Sequence, residues 1–428
     1  MPQEKSSAGK IVVLGIQHVF AMFGATVLVP ALTGINPAMA LLCAGLGTWL
    51  CHIITGFKVP VFLGSSFAFI GSIIAVCQMF SDGAAVGTPA YMAGMPYAMG
   101  GIVVAGSIYL VFGLLVKLVG VERVRSFFPP IVTGPVIITI GIMLAPNAIN
   151  DIVTPIANTS SAVNWGIAFI VLATLFIVSL FAKGLFKLVP ILVGMVVGYI
   201  VAACFRIIDF APVAQASFFQ VPQFIFPKFD IRAIGVIAPI ALVTFVEHIG
   251  DISASSAVCG KDFLKDPGLH RTLWGDGLAT MLAGFLGGPA NTTYSENTGV
   301  LATTKNYNPV TLRVAATFAI CIAFLGKLGA LLQVMPGPVK GAIAVVLYGM
   351  IASVGLRTLV ENHVDFTKSR NLLIVSVMLV FGLGASGAIT IGGVSVSGTA
   401  LAAILGIVLN KLLPERIEQD DTQTDQQA

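Results

Sequence analysis

Gly287-Gly288-Pro289-Ala290-Asn291-Thr292-Thr293-Tyr294-Ser295-Glu296-Asn297-Thr298-Gly299, continuing to Lys305, is the stretch whose reading decides the fold. It lies between two long apolar segments, yet it is too polar to face lipid. Asn291 to Ser295 mix small and β-branched residues that suit an extended run, and Glu296 and Asn297 stand where a helix would begin. A carboxylate at a helix start is favoured by the positive end of the helix dipole, and the amides ahead of it are free to meet a polar ligand. Irregular backbone at membrane depth is tolerated only where protein buries it or where it lines a cavity. The stretch therefore reads as a broken membrane segment carrying a small-molecule site.

The rest of the chain supports a membrane setting. Of 428 residues, 57% are hydrophobic and 10% charged, and the mean hydropathy of +0.96 lies outside the range of ordinary soluble domains. Apolar runs long enough to cross roughly 30 Å of hydrocarbon recur from Ile11 to Leu412. Counted between turn signals they fall near 11–31, 37–55, 61–80, 92–117, 128–148, 163–182, 185–206, 232–257, 270–287, 289–304, 310–333, 336–356, 371–387 and 391–412, which makes fourteen. The polar remnants are the first ten residues and a tail, 414–428, whose Asp, Gln and Thr content reads as disordered.

The net charge of +4 is scattered through connections rather than gathered in a run, which excludes a nucleic-acid reading. If the amino terminus is cytoplasmic, eighteen of the 23 Lys and Arg residues fall on the inner side, in accord with an even number of spans and both termini inside. Cys43, Cys51, Cys77, Cys204, Cys259 and Cys321 stand singly in mostly apolar surroundings and read as small buried hydrophobes. Neither they nor the histidines show metal-ligand spacing, and no cofactor is expected. Gly382-x-Gly384-x-x-Gly387 fits a dinucleotide fingerprint, but it ends an apolar span without strand–turn–helix context.

A second interrupted segment, Pro60-Val61-Phe62-Leu63-Gly64-Ser65-Ser66-Phe67-Ala68-Phe69, is third in order, as the Glu296 segment is third in the second half of a seven-plus-seven division. An odd repeat length inverts the second half, so the two broken segments would meet near the bilayer midplane. Four carboxylates lie in or at the edge of spans: Glu247, Asp251, Asp276 and Glu296. Such groups mark a substrate or proton path because lipid does not solvate them. Glu247 and Asp251 are four apart and share a helix face. Asp276, flanked by Gly275 and Gly277, is equally open to a structural pairing with a Lys, an Arg or a backbone amide. His18, after Gln17, reads as a bond across helices, and His248 as a packed, satisfied side chain.

Gln17-His18-Val19-Phe20-Ala21-Met22-Phe23-Gly24-Ala25-Thr26, Gly64-Ser65-Ser66-Phe67-Ala68-Phe69, Asp266-Pro267-Gly268-Leu269-His270-Arg271 and Glu296-Asn297-x-Gly299-x-x-x-x-Thr304-Lys305 resemble the nucleobase-ascorbate transporter family, the last being its signature pattern. The likeness runs from about Gly15 to Leu413 and is closest to bacterial uracil permeases. It implies an all-α polytopic membrane protein of fourteen segments in two inverted repeats, with short β-strands in segments 3 and 10. A core domain (11–117 and 232–333) would move against a gate domain (118–206 and 334–413) as an elevator. It implies a proton-coupled symporter, not an enzyme, acting as a homodimer in the cytoplasmic membrane. Its partners would be uracil, protons and the lipid bilayer. By the same resemblance Glu247 and Glu296 would take the substrate N–H groups, the amides of Phe67 and Ser295 its carbonyls, Tyr294 and Phe67 would flank the ring, and Ala25 would line the pocket. Glu247, Asp251 and Asp276 would serve proton coupling, with Gln17, His18, Asn297, Gly299 and Thr304 as signature positions. Asp251 and Asp276 match acidic positions of purine-transporting relatives, so xanthine, alone or with uracil, is the alternative substrate. An intramembrane hydrolase is the rival of another class, and it lacks a nucleophile–base pair.

Overall fold

A computed structural model of the chain describes residues 7–125, 128–155, 159–385, 390–391, 394–395 and 398–414. The tail beyond Pro414 and Gly387 of the rejected glycine pattern lie outside the described residues. In chain order the helices and strands are α1 (Ala8–Thr33), α2 (Pro37–Ile54), β1 (Leu63–Ser65), α3 (Ile70–Met79), α4 (Pro89–Val119), α5 (Val121–Arg125), α6 (Pro130–Val153), α7 (Ser161–Phe181), α8 (Pro190–Cys204), α9 (Ala211–Gln215) and α10 (Ile231–Ile237). There follow α11 (Ile240–Cys259), α12 (Leu269–Leu286), β2 (Asn291–Thr293), α13 (Ser295–Thr304), α14 (Pro309–Ala323), α15 (Gly326–Gln333), α16 (Gly337–Glu361), α17 (Ser369–Gly384), β3 (Thr390–Ile391), β4 (Val394–Ser395) and α18 (Gly398–Leu412). Among the described residues seven helices are long and apolar enough to cross a membrane, and several shorter apolar ones accompany them.

Helix starts follow local chemistry. Asn36 and Asn308 each precede a proline at the first helical position, and their side chains accept the amides of Ala38 at 2.9 Å and Val310 at 3.0 Å. Two expected spans are divided: the eighth into α10 and α11 about Ala238-Pro239, where proline removes a donor, and the eleventh into α14 and α15. The fourteenth, expected from 391, has its described helix at Gly398–Leu412. Thr390–Ile391 and Val394–Ser395 pair instead as antiparallel strands, in keeping with β-branched residues that flank a Gly-Gly dipeptide in sequence.

The chain divides into two compact units. The first, residues 1–118 and 144–346, is centred on α1, α2, α11, α12, α13 and α14. It buries Met22, Leu28, Met39, Leu41, Phe62, Phe69, Tyr91, Tyr109 and Phe245. The second, residues 119–143 and 347–428, holds α17 packed on α18. There Arg370 ties the two helices by donating to Leu413 O at 2.9 Å, Asn410 O at 2.7 Å and Asn410 Oδ1 at 3.0 Å, a cation set on the carbonyl end of α18. Phe181, Leu180, Leu118, Val360 and Leu412 are each more than 70% exposed. Their side chains suit acyl chains, not water. Of the cysteines, Cys43, Cys51 and Cys77 are buried as expected; Cys204 and Cys321 are exposed and Cys259 half-buried, because their helix faces look outward. All six are free.

Candidate functional site

β1 and β2 pair antiparallel, Leu63 opposite Thr293, Gly64 opposite Thr292 and Ser65 opposite Asn291. The ladder continues one residue each way: Tyr294 N donates to Phe62 O at 2.9 Å and Ser66 N to Ala290 O at 2.8 Å. A local two-fold therefore relates the segments, residue before strand to residue after.

The flanking helices repeat it. Thr48 of α2 takes the Leu63 amide at 2.9 Å and returns its hydroxyl to Leu63 O at 3.3 Å. Thr280 of α12 takes the Asn291 amide at 3.3 Å and returns its hydroxyl to Asn291 O at 3.0 Å. Strands of three residues leave backbone groups that buried surroundings must satisfy, and these two threonines do it. His52 Nε2, 2.8 Å from Val61 O, and Ser65 Oγ, donating to Thr26 O at 3.0 Å, complete the frame of β1.

Each strand leads into a helical start. After β1 come Ser66 and a 3₁₀ turn, Phe67–Phe69, before α3. After β2 comes Tyr294, which caps α13, with Glu296 in the first turn. The free amides and positive dipole end there favour electron-rich ligand atoms. α11 packs on the Phe67–Phe69 turn, on β2 and on α13, and carries Glu247 and Asp251. Glu247 and Asp251 lie near enough to Glu296 and to Asp276 to feel the charge of each.

The expected site residues divide into two shells. Phe67, Glu247, Asp251 and Glu296 are half-buried and Ser295 is exposed. Tyr294 and Ala25 are buried behind them, at 3% and 1% exposure. Tyr294 Oη donates to Ser65 O at 3.0 Å and lies 3.4 Å from Thr26 Oγ1, so its ring braces β1 over Gly64. Asp276 is fully buried, and its partner is His248, not a Lys, an Arg or an amide: His248 Nδ1 stands 3.0 Å from Asp276 Oδ2. His18 does bond across helices, with Asn297 Nδ2 donating to His18 O at 3.1 Å and facing His18 Nδ1 at 3.1 Å. Thr304 returns its hydroxyl to Val300 O at 2.8 Å, Gly299 faces open space, and Gln17 is half-buried on α1.

Sequence reasoning missed Thr48, Thr280, Thr26 and Asn291. Their signal was a hydroxyl or amide in an otherwise apolar run, common in membrane helices. Asn291 Nδ2 donates to Cys43 O at 3.1 Å, an approach that Gly47 makes possible because a Cβ there would meet the amide.

The sequence profile described as the permease family matches residues 9–391. This chain belongs to the permease family. A family relative from Haemophilus influenzae, named "Probable uracil permease", is 45% identical over 414 residues, 96% of each chain. One from Bacillus caldolyticus, named "Uracil permease", is 42% identical over 420 residues, 97% of this chain and 94% of that one. In fold, this permease resembles the murine solute carrier 26 family member A9 anion transporter in its inward-facing state, with a TM-score of 0.70 at 13% identity over 96% of this chain and 69% of the other. The relatives are permeases, not enzymes, and the chain is a multi-pass membrane protein.

Proposed function

We propose that this permease imports uracil across the cytoplasmic membrane together with protons. The observation that carries the reading is the meeting of two broken segments beside Glu247 and Glu296. Uracil has two N–H donors and two carbonyl acceptors. Two carboxylates for the donors, with the amides of Phe67 and Ser295 for the carbonyls, form a complementary set, and charge-assisted bonds of this kind are the strong ones. Phe67 flanks the ring, while Tyr294 and Ala25 support the wall. Glu247 takes up the coupling proton, with Asp251 beside it and Asp276 behind. Relatives named for uracil support the substrate.

The cycle is an elevator in which a core (11–117 and 232–333) moves against a gate (118–206 and 334–413), in fourteen segments of inverted seven-plus-seven repeats. The two-fold of the strand ladder, with Thr48 and Thr280 in matching roles, supports the repeat. Both termini are cytoplasmic and the assembly is a homodimer. Asp251 and Asp276 favour a second reading, in which xanthine shares the site.

Uptake of labelled uracil into proteoliposomes, with and without an inward proton gradient, tests the proposal. Accumulation above the equilibrium level only with the gradient is expected. Equilibration alone would mark a passive channel, and displacement by excess unlabelled xanthine would establish the mixed range.

A further inference from the structure

With the coupling proton on Glu247, His248 is left without a part in transport. His248, Asp276 and Thr272 are buried together, at 1%, 0% and 1% exposure. His248 Nδ1 lies 3.0 Å from Asp276 Oδ2 and Nε2 lies 3.0 Å from Thr272 Oγ1, while Thr272 Oγ1 also lies 3.0 Å from Leu269 O. Among the described residues Asp276 Oδ1 has no hydrogen-bond partner, and His248 is the group that answers this carboxylate.

Hydrogen-bond accounting leaves few states. The Thr272 hydroxyl has one hydrogen and two lone pairs, so it donates to His248 Nε2 or to Leu269 O, not to both. When it donates to Nε2, the imidazole is neutral and its Nδ1–H donates to the Asp276 carboxylate. When it donates to Leu269 O, Nε2 must itself carry hydrogen to hold the 3.0 Å contact with Thr272. Nδ1 and Oδ2 then share one further proton, as an imidazolium–carboxylate pair or as neutral imidazole with carboxylic acid. The two arrangements differ by one proton and one hydroxyl rotation. Loading changes a buried net charge of −1 into a neutral unit.

We propose that His248, Asp276 and Thr272 form a second proton-binding site, whose occupancy is linked to transport. A proton adds to the Nε2 lone pair, the Thr272 hydroxyl turns from Nε2 to the Leu269 carbonyl, and its oxygen accepts the new N–H. No other bond breaks. The titratable groups near enough to Asp276 to feel its charge are Glu247 and Asp251 of α11, Tyr109 of α4 and Cys51 of α2, and Glu296 of α13 lies next to Glu247 and Asp251 in turn. All are acidic or neutral, so emptying the site adds negative charge to the cluster that holds Glu247. The link to transport rests on the proton-coupled reading; the proton occupancy does not.

The test uses full-length protein in lipid, labelled with nitrogen-15 histidine, with His248 assigned among the five histidines by loss of its signals in His248→Gln. Spectra are recorded from about pH 5 to 8, the range in which imidazoles change charge. Nε2 passing from bare to protonated as pH falls is the expected result, with a midpoint that Thr272→Val displaces and Thr272→Ser restores. An Nε2 in one state throughout, or a midpoint indifferent to Thr272→Val, overturns the proposal. Uptake gives the second arm: Thr272→Val should lose the parent's dependence of uptake on internal pH, and an unchanged profile removes the link to transport. If the parent itself shows no proton dependence while Nε2 titrates, symport fails and so does that link, while the binding site stands.

Discussion

Gly64→Ala probes the brace between the broken segments. Gly64 lies in β1 opposite Thr292, and a Cβ there would fall within the Tyr294 ring, 2.8 Å from Oη. The ring has little room to give, since it is buried and its hydroxyl is tied to Ser65 O at 3.0 Å and faces Thr26 Oγ1 at 3.4 Å. Overpacking of this kind costs about 1–3 kcal/mol, and loss of the Tyr294 hydrogen bond adds about 1 kcal/mol. The total of about 2–4 kcal/mol corresponds to about 30-fold to 700-fold in an equilibrium constant. Because Tyr294 caps α13 directly ahead of Ser295 and Glu296, the loss should appear in both uracil affinity, by calorimetry, and melting of the purified protein. The decisive assay is a double-mutant cycle with Tyr294→Ala. Once the ring is gone, the further change Gly64→Ala should cost less than about 0.5 kcal/mol. Additive effects, or parent-like affinity and melting in Gly64→Ala, would refute the reasoning.

Glu247→Gln keeps the shape of the side chain and removes its proton chemistry, so uptake driven by a pH gradient should vanish while exchange of internal for external substrate persists; retained accumulation assigns the proton elsewhere. Asn297→Ala deletes both contacts to His18 and leaves buried acceptors on α1, at a cost of about 1–3 kcal/mol; a lower melting temperature is expected, and an unchanged one would mean that the α1–α13 tie does not carry stability. At Asp230, hydrogen bonds from the Arg232 side chain and amide hold the carboxyl below the ordinary carboxylate range. A lowered folded value means that this stabilisation is complete above the unfolded pKa of about 3.9 and is lost as pH falls through the folded one. Protection factors in the first turn of α10, that is, exchange rates corrected for the intrinsic pH dependence of amide exchange, should therefore fall at low pH in the parent, and Asp230→Asn should abolish that fall.

The two interruptions were legible in the sequence because Pro60, Gly64, Pro289 and the Ser/Thr clusters break runs that are otherwise apolar. The α11 face was legible because carboxylates inside a span are rare enough to need a reason. What stayed hidden depends on distant partners. Nothing local tells that Thr48 holds Leu63 or that Thr280 holds Asn291, since each threonine looks like any small polar residue in a membrane helix. The His248–Asp276 pair spans two helices and 28 positions. Tyr294, which the resemblance sets beside the substrate ring, also donates its hydroxyl to the buried Ser65 carbonyl, a tie that no local pattern announces. The β3–β4 pairing was obscured by its hydrophobicity, which a short strand and a helix share.

Ser65 and Tyr294 are 229 positions apart, so the first half of the ladder is synthesised long before its complement. At about 5–20 residues per second the nascent chain waits on the order of ten to fifty seconds with one edge of Leu63–Ser65 unmatched. Thr48 and Thr26 emerge earlier and are ready to hold Leu63 and Ser65 meanwhile. The edge that Asn291–Thr293 later covers stays open until then, and unpaired buried backbone groups are costly, so those few side chains matter during synthesis as well as in the finished fold.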